Sequence, residues 1–249
     1  MEHEIVLAPE IIGHIGQLPI TNTLLVTWIV MGFLILMSYL TTRKLAAIPS
    51  GLQNFFEMII ETGYQTVEDL AHSKQSSSSN KAKVFFPIVM TFFLFIITAN
   101  WFGLFPGFAT ITFHHYPILR SINSDLNTTL ALALVSAAAT HFFAIKYLGI
   151  IDYLKRWVSL NPIFLFVGIL EIISEFTKIV SLSFRLFGNI FAGEVVLATV
   201  STISKWTAFF MPIPFYFLEI IVGFVQAAVF MMLTLVFMVL LSEKHGEEH

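Results

Sequence analysis

Arg185 lies between side chains that can carry protons, yet it cannot carry one itself. Glu171, Glu175 and Lys178 precede it, Asn189 and Glu194 follow, and Glu219 and Gln226 come later; all fall within two apolar runs, 162–204 and 214–241. An ionisable group inside a membrane span costs about 2.5–3.5 kcal/mol on insertion scales. Such a group therefore marks function unless it reaches water at the end of the span. That escape is open to Glu171, Glu175 and Lys178, which lie nearer one end, but not to Arg185 near the middle. Carboxylates take up and release protons reversibly. An arginine stays protonated at any accessible pH. A permanent cation between two sets of carboxylates blocks a straight proton leak. It also favours the ionised form of any carboxylate that approaches it. The pattern is that of two half-paths divided by a gate, with no carrier of its own across the gate.

Helical geometry sharpens this pattern. At about 100° per residue, Glu171, Glu175, Lys178, Leu182, Arg185 and Asn189 fall on one stripe roughly 80° wide. Glu194 comes nine residues after Arg185, on roughly the opposite face. A helix with polar groups on two faces must lie between protein and water-filled cavities. Glu219 and Gln226 are seven residues apart and share a face of the last run, where Gly223 and Ala227 permit close helix approach.

The elements that must position these groups follow from composition. Of 249 residues, 57% are hydrophobic and 12% charged, with 27 Phe and a mean hydropathy of +0.83. A soluble domain is about 45–50% apolar and about 25% charged. This chain cannot cover itself with polar surface, so lipid is its solvent. A span needs about 20 apolar residues, and several such runs are present. The expected fold is an all-α membrane protein, one integral domain over 1–249, with about five transmembrane helices and one interfacial amphipathic helix. Residues 1–22 form an outer tail without the basic start of a secretory signal, so no cleavage is expected there. The first span covers 23–41. Apolar residues at helical spacing from Leu52 to Leu70, interleaved with Glu57, Glu61, Glu68 and Asp69, predict an amphipathic helix over 50–72. Its acidic polar face suits a protein partner as well as a lipid surface. The stretch SKQSSSSNKAK, 73–83, reads as a flexible linker.

A core follows over 84–241. One span ends near Phe105, and another starts at Asp125, which can cap it. Asn100 and Trp101 read as packing and interface anchors, and Lys146 to Arg156 as a short charged loop. A straight helix over 162–204 would be about 65 Å long against a hydrocarbon core of about 30 Å. A long, strongly inclined helix is therefore expected. The positive-inside rule orients the whole. Nine cations (Arg43, Lys44, Lys74, Lys81, Lys83, Lys146, Lys155, Arg156 and Lys244) fall on one side and two (Arg120 and Lys205) on the other. The N-terminus is then outside, and the tail 242–249 is cytoplasmic.

Several classes of function are disfavoured. The formal net charge of -3 gives no basis for nucleic-acid binding, and the absence of cysteine excludes disulfides and thiolate sites. No phosphate loop of the GxxxxGK[ST] type is present. His141 is the one histidine within a span and reads as an interfacial polar residue near the inner face. His114 and His115 read as a solvated loop pair, so neither haem nor a metal site is expected.

The run SLSFRLFGNIFAGE, from Ser181 to Glu194, closely resembles the signature of subunit a of F-type ATP synthases. LEIIVGFVQAAVFMMLTLVFM in the last span, ANWFGLFPG, DLNTTLALAL and the terminal SEKH resemble further segments of that family. The resemblance covers about residue 84 to the C-terminus and implies the absent carrier. That family's subunit a stands beside a rotating ring of c subunits, each bearing a membrane carboxylate that takes a proton from one half-channel and releases it to the other. Carried over by position, Arg185 matches the essential arginine, with Asn189, Glu194 and Gln226 as its polar neighbours. Glu219 stands where some members have His. Glu171 and Lys178 match the exit side, and Asp125 and Asn127 the intake side. Glu175 has no role assigned by the resemblance. The partners implied are the c ring, the peripheral-stalk b subunit and membrane lipid. The ion implied is the proton, with sodium less favoured, and no cofactor is implied. The alternative is a secondary transporter or channel using the same carboxylates, which would usually show internal repeats; none is evident.

Overall fold

The computed structural model describes residues 10–15, 18–43, 46, 51–72, 79–105, 112–113, 116–117, 120–157, 162–202 and 210–242. His114, His115, Lys44, Lys74, Lys205, Lys244 and residues 1–9, 16 and 17 of the outer tail lie outside that set. Lys155 and Arg156 belong to a described helix, but their side chains do not belong to the described set.

The architecture is all-α, with two small hairpins. The chain runs β1 (Ile11–Ile15), β2 (Leu18–Thr21), α1 (Asn22–Thr42), α2 (Leu52–His72), α3 (Ser79–Gly103), β3 (Thr112–Phe113) and β4 (Tyr116–Pro117). A 3-10 turn at Ile122–Ser124 follows, then α4 (Leu126–Leu148), α5 (Ile150–Trp157), α6 (Pro162–Thr202) and α7 (Pro212–Leu241). Five helices (α1, α3, α4, α6 and α7) are long and apolar enough to cross a membrane. The chain is a multi-pass membrane protein.

Local chemistry sets the boundaries. The Thr21 hydroxyl accepts from the Leu24 N–H and caps α1. Asp125 caps α4 by accepting from the Asn127 N–H at 2.9 Å, as its position before an apolar run predicts. Gly149, at a φ of 86°, ends α4 and turns the chain at once into α5. Pro212 opens α7, where a missing N–H costs nothing.

Three apolar layers join the helices. The first unites Val67 of α2 with Phe85 and Val89 of α3, Phe143 of α4 and Leu235 and Met238 of α7. The middle layer places Phe92 and Ile96 of α3 against Ala133 of α4, Leu182 and Leu186 of α6 and Phe230 of α7. The third joins Val26 and Val30 of α1 to Ala99 of α3 and to Ile122. Burying a Leu, Ile or Phe removes each from lipid as well as water, so close packing rather than dehydration holds this bundle.

Three sequence expectations change in detail. The stretch read as a linker over 73–83 is helical from Ser79, and Lys81 there donates to the Ser242 carbonyl at 3.2 Å. This contact ties the start of α3 to the end of α7. The charged loop after α4 contains the helix α5, eight residues long. The end of the outer tail is hairpin β1–β2, antiparallel with His14 opposite Pro19. Serine-rich composition cannot show a helix that is completed by tertiary contact, and strands of five and four residues give too little periodicity to read.

The long helix is as expected in kind. α6 is unbroken over 41 residues, about 60 Å at 1.5 Å per residue. It is twice as long as the hydrocarbon is thick, so it must incline. α2 docks through its second half, where Val67 is buried and Tyr64 meets Phe86 edge-on at 5.3 Å. Leu52, Phe55 and Met58 at its start remain exposed.

Candidate functional site

Arg185 lies about halfway along α6, on an exposed face. It lines an open groove of about 420 Å³, with Lys178, Ser181 and Leu182 from the same helix and Leu233 and Phe237 from α7. Leu186 beside it is fully buried in the middle layer, which fixes the rotation of α6 so that Arg185 points away from the core. One turn on, Asn189 donates through Nδ2 to Gln226 Oε1 at 2.8 Å. This bond crosses from α6 to α7 and holds Gln226, which is 3% exposed. Its own Nε2 is buried with no acceptor among the described residues.

Beyond Arg185, nine residues or about 13 Å along the axis, lies a polar cluster. Glu194 contacts the Ser124 hydroxyl and the Ser121 backbone N–H, with the Arg120 guanidinium and the Glu219 carboxylate as its charged neighbours. Glu219, 5% exposed, comes from the second turn of α7. Its carboxylate occupies the notch left by the missing side chain of Gly193: a Cβ there would overlap it. Arg120 Nε in turn donates to Ser124 Oγ at 3.2 Å.

A buried amide frame supports the cluster. Asn123 Nδ2 donates to Asn100 Oδ1 at 2.6 Å, and Asn100 Nδ2 donates to the Gly223 carbonyl at 3.0 Å. Trp101 Nε1 adds a bond to the Ile220 carbonyl. Asn100 therefore does more than pack: it pins the first turns of α7 to the end of α3. Asp125 accepts from Thr23 Oγ1 at 3.0 Å and so joins α4 to α1. Asn127 supplies only its N–H to Asp125, and its side chain is exposed. Glu10, next to hairpin β1–β2, also feels Arg120. Burial raises its carboxyl above the ordinary range, while Arg120 acts in the opposite direction.

At the other end of α6, Glu175 Oε1 accepts from Lys178 Nζ at 2.6 Å, and Glu175 Oε2 lies 3.9 Å from His141 Nε2 of α4. His141 Nδ1 meets the Tyr153 hydroxyl of α5 at 3.0 Å. The Lys178 ammonium also lies 4.4 Å above the Phe237 ring of α7. Glu171 stands one turn earlier and is partly exposed.

The structure thus keeps Lys178, Leu182 and Arg185 of the polar stripe along one groove but turns Asn189 to α7 and Glu175 to α4. It also recruits residues that the sequence pattern does not mark: Arg120, Ser121, Ser124, Asn100, Asn123 and Tyr153. Arg120 carried a usable signal, as one of only two cations on its side of the chain. Gly193 carried another, adjacent to an intramembrane Glu.

The model of the ATP synthase A chain family matches residues 24–239. The chain belongs to that family. It is 34% identical to ATP synthase subunit a of Moorella thermoacetica over 229 residues, 92% of this chain and 94% of that protein. It is 39% identical to ATP synthase subunit a of Desulfotalea psychrophila over 215 residues, 85% of this chain and 80% of that one. The counterpart in Gloeobacter violaceus is 34% identical, covering 92% and 86%. As a subunit a family member, the chain is a membrane component of ATP synthesis and proton transport.

The Gly193 notch gives a direct test. Gly193→Ala is expected to displace the Glu219 carboxylate by about 1 Å or more and to lower proton flux by roughly tenfold to a hundredfold, the scale of a misplaced reacting group. Flux would be measured in vesicles holding the assembled complex. Unaltered flux would mean that the position of Glu219 is not critical.

Proposed function

We propose that this chain is the stationary half of a rotary proton path. Protons enter from the outside by Glu194 and Glu219, with Arg120, Asp125 and Asn127 at the intake mouth. They pass to a carboxylate on a ring of c subunits that runs along the Arg185 face. After the ring has turned, they leave by the inner side, where Lys178, Glu171 and Glu175 stand. Arg185 keeps the two half-channels apart, with Asn189 and Gln226 holding the α6–α7 seam beside it. The observation that carries this reading is the exposed Arg185 groove, flanked at about 13–15 Å along α6 by carboxylates at both ends. A charge that faces lipid at the middle of a span is costly, and a ring carboxylate would supply a counter-charge.

The further partners are the b subunit of the peripheral stalk and lipid around the remaining apolar faces. The N-terminus lies outside and the C-terminus in the cytoplasm of a bacterial inner membrane, in keeping with the distribution of Lys and Arg. The ion is the proton; reversible carboxylates serve it without any metal-type cage.

Single cysteines placed at 181, 185, 194 and 219 test both halves. Crosslinking from 181 and 185 should capture the c ring, and labels at 194 and 219 should react from the outer side. Capture of lipid alone would overturn the first half, and labelling only from the cytoplasmic side the second.

A further inference from the structure

We infer that protons leave the inner half-channel sideways through the α4–α6 interface, by Glu175, His141 and Tyr153, rather than straight down the groove. This inference rests on the two-half-channel reading above. The groove that Arg185 lines reaches Lys178. Behind Lys178, three titratable groups from three helices stand in line. Glu175 is buried and bonded to Lys178 at 2.6 Å, His141 Nε2 lies 3.9 Å from its second oxygen, and His141 Nδ1 lies 3.0 Å from the Tyr153 hydroxyl. Tyr153 is partly exposed on α5. The line therefore leads from the groove to the hydroxyl of a partly exposed tyrosine on α5.

The chemistry of each member suits its place. A proton from the groove adds to the Glu175 carboxylate and breaks its pairing with Lys178. The 3.9 Å gap to His141 is one water or a small side-chain rotation. His141 accepts that proton at Nε2 and gives the proton on Nδ1 to the Tyr153 oxygen. The Tyr153 hydroxyl proton passes to solvent. One proton enters, one leaves, and Glu175 is again a carboxylate that Lys178 can hold. Exchange of the imidazole proton with water returns His141 to its first tautomer.

Packing holds the line. A Cβ at Gly168 would overlap the Trp157 carbonyl, so the end of α5 can lie on α6 only because that residue is glycine. The Trp157 ring lies 6.1 Å from His141 and 5.8 Å from Tyr153, which confines both side chains. A histidine serving only as an interfacial polar group needs neither a carboxylate nor a phenol aligned on its two nitrogens.

The test uses the complete ATP synthase in sealed vesicles, reading proton flux. His141→Gln keeps a hydrogen-bonding side chain but cannot relay. It is expected to lower flux roughly tenfold or more, within the range of a lost proton-transfer group. Tyr153→Phe, which keeps the ring, should lower it as well. His141→Ala should be restored by imidazole supplied on the inner side, a rescue that lost packing would not show. Wild-type flux in His141→Gln, or a His141→Ala defect that imidazole leaves in place, would overturn the inference. Arg185→Ala separates the two levels. If it abolishes pumping while His141→Gln pumps normally, only the lateral exit fails. If Arg185→Ala pumps normally, the half-channel reading itself fails.

Discussion

Arg185→Ala is expected to abolish ATP-driven proton pumping while leaving the complex assembled, and to open a passive proton leak. Arg185 is exposed on the groove face and outside the three apolar layers, so its removal leaves no cavity in the core. Assembly should therefore survive. Its charge is what is lost. A cation and a carboxylate about 4 Å apart attract by about 4 kcal/mol at an effective dielectric of about 20. Each 1.4 kcal/mol is about tenfold in rate, so a coupling defect of at least a hundredfold is expected. The leak follows from the same charge: without it, the permanent cation midway between the Glu194 side and the Glu175 side is gone, and only Lys178, already paired with Glu175, remains at the inner end. Vesicles carrying the variant would be assayed for quenching of a pH dye under ATP, and for collapse of an imposed pH gradient without it. Arg185→Lys keeps a charge but loses the planar, always-protonated fork, so it should block the leak better than it restores pumping. Normal pumping by Arg185→Ala would mean that the arginine is structural.

Glu219→Gln should be the next most damaging change. Glu219 is almost fully buried, is seated in the Gly193 notch and is a charged neighbour of Glu194. Glutamine has nearly the same shape, so the notch remains filled and α7 stays in place. Only reversible proton uptake is removed. Loss of a positioned proton-transfer group costs typically about 10²–10⁴-fold, and flux in both directions should fall by about a hundredfold. Glu219→Asp keeps the carboxyl but withdraws it by one methylene, so it should retain part of the flux. Assembly is checked by co-purification with the other subunits, and flux by acid-jump ATP synthesis. Flux unchanged in Glu219→Gln would place the intake route elsewhere and leave Glu194 to act without it.

The two changes probe different physics. On the proposed mechanism Arg185 acts through a charge that never leaves, and Glu219 through a proton that must. A variant set that lost pumping equally at both sites, but leaked only at Arg185, would separate gate from relay. The amide frame behind Glu219 is the structural control: Asn100 and Asn123 hold the first turns of α7 without titrating.

Much of the molecule could be read directly from the chain. Solvent class follows from 57% hydrophobic residues, and the five spans from uninterrupted apolar length. The cap at Asp125 and the 41-residue helix were legible because they depend on neighbouring residues and on the absence of a breaker. Arg185 stands out in the chain because a charge in an apolar run is expensive wherever the helix points.

Tertiary structure alone decided what faces what. A single helical stripe predicts one common environment for Glu175, Arg185 and Asn189. The fold gives them three, because α4, α5 and α7 meet α6 at different heights along a helix twice as long as the membrane is thick. The pairing of Gly193 with Glu219 joins residues 26 apart on different helices, and the bond from Thr23 to Asp125 spans 102 positions. Periodicity along one helix carries no information about such neighbours. His141 likewise reads as an isolated polar residue until α5 folds back and brings Tyr153 to it. The sequence determined the solvent, the spans and the identity of the costly charges, since these are properties of single segments. Which charges meet, and on which side of Arg185, was decided by packing between segments.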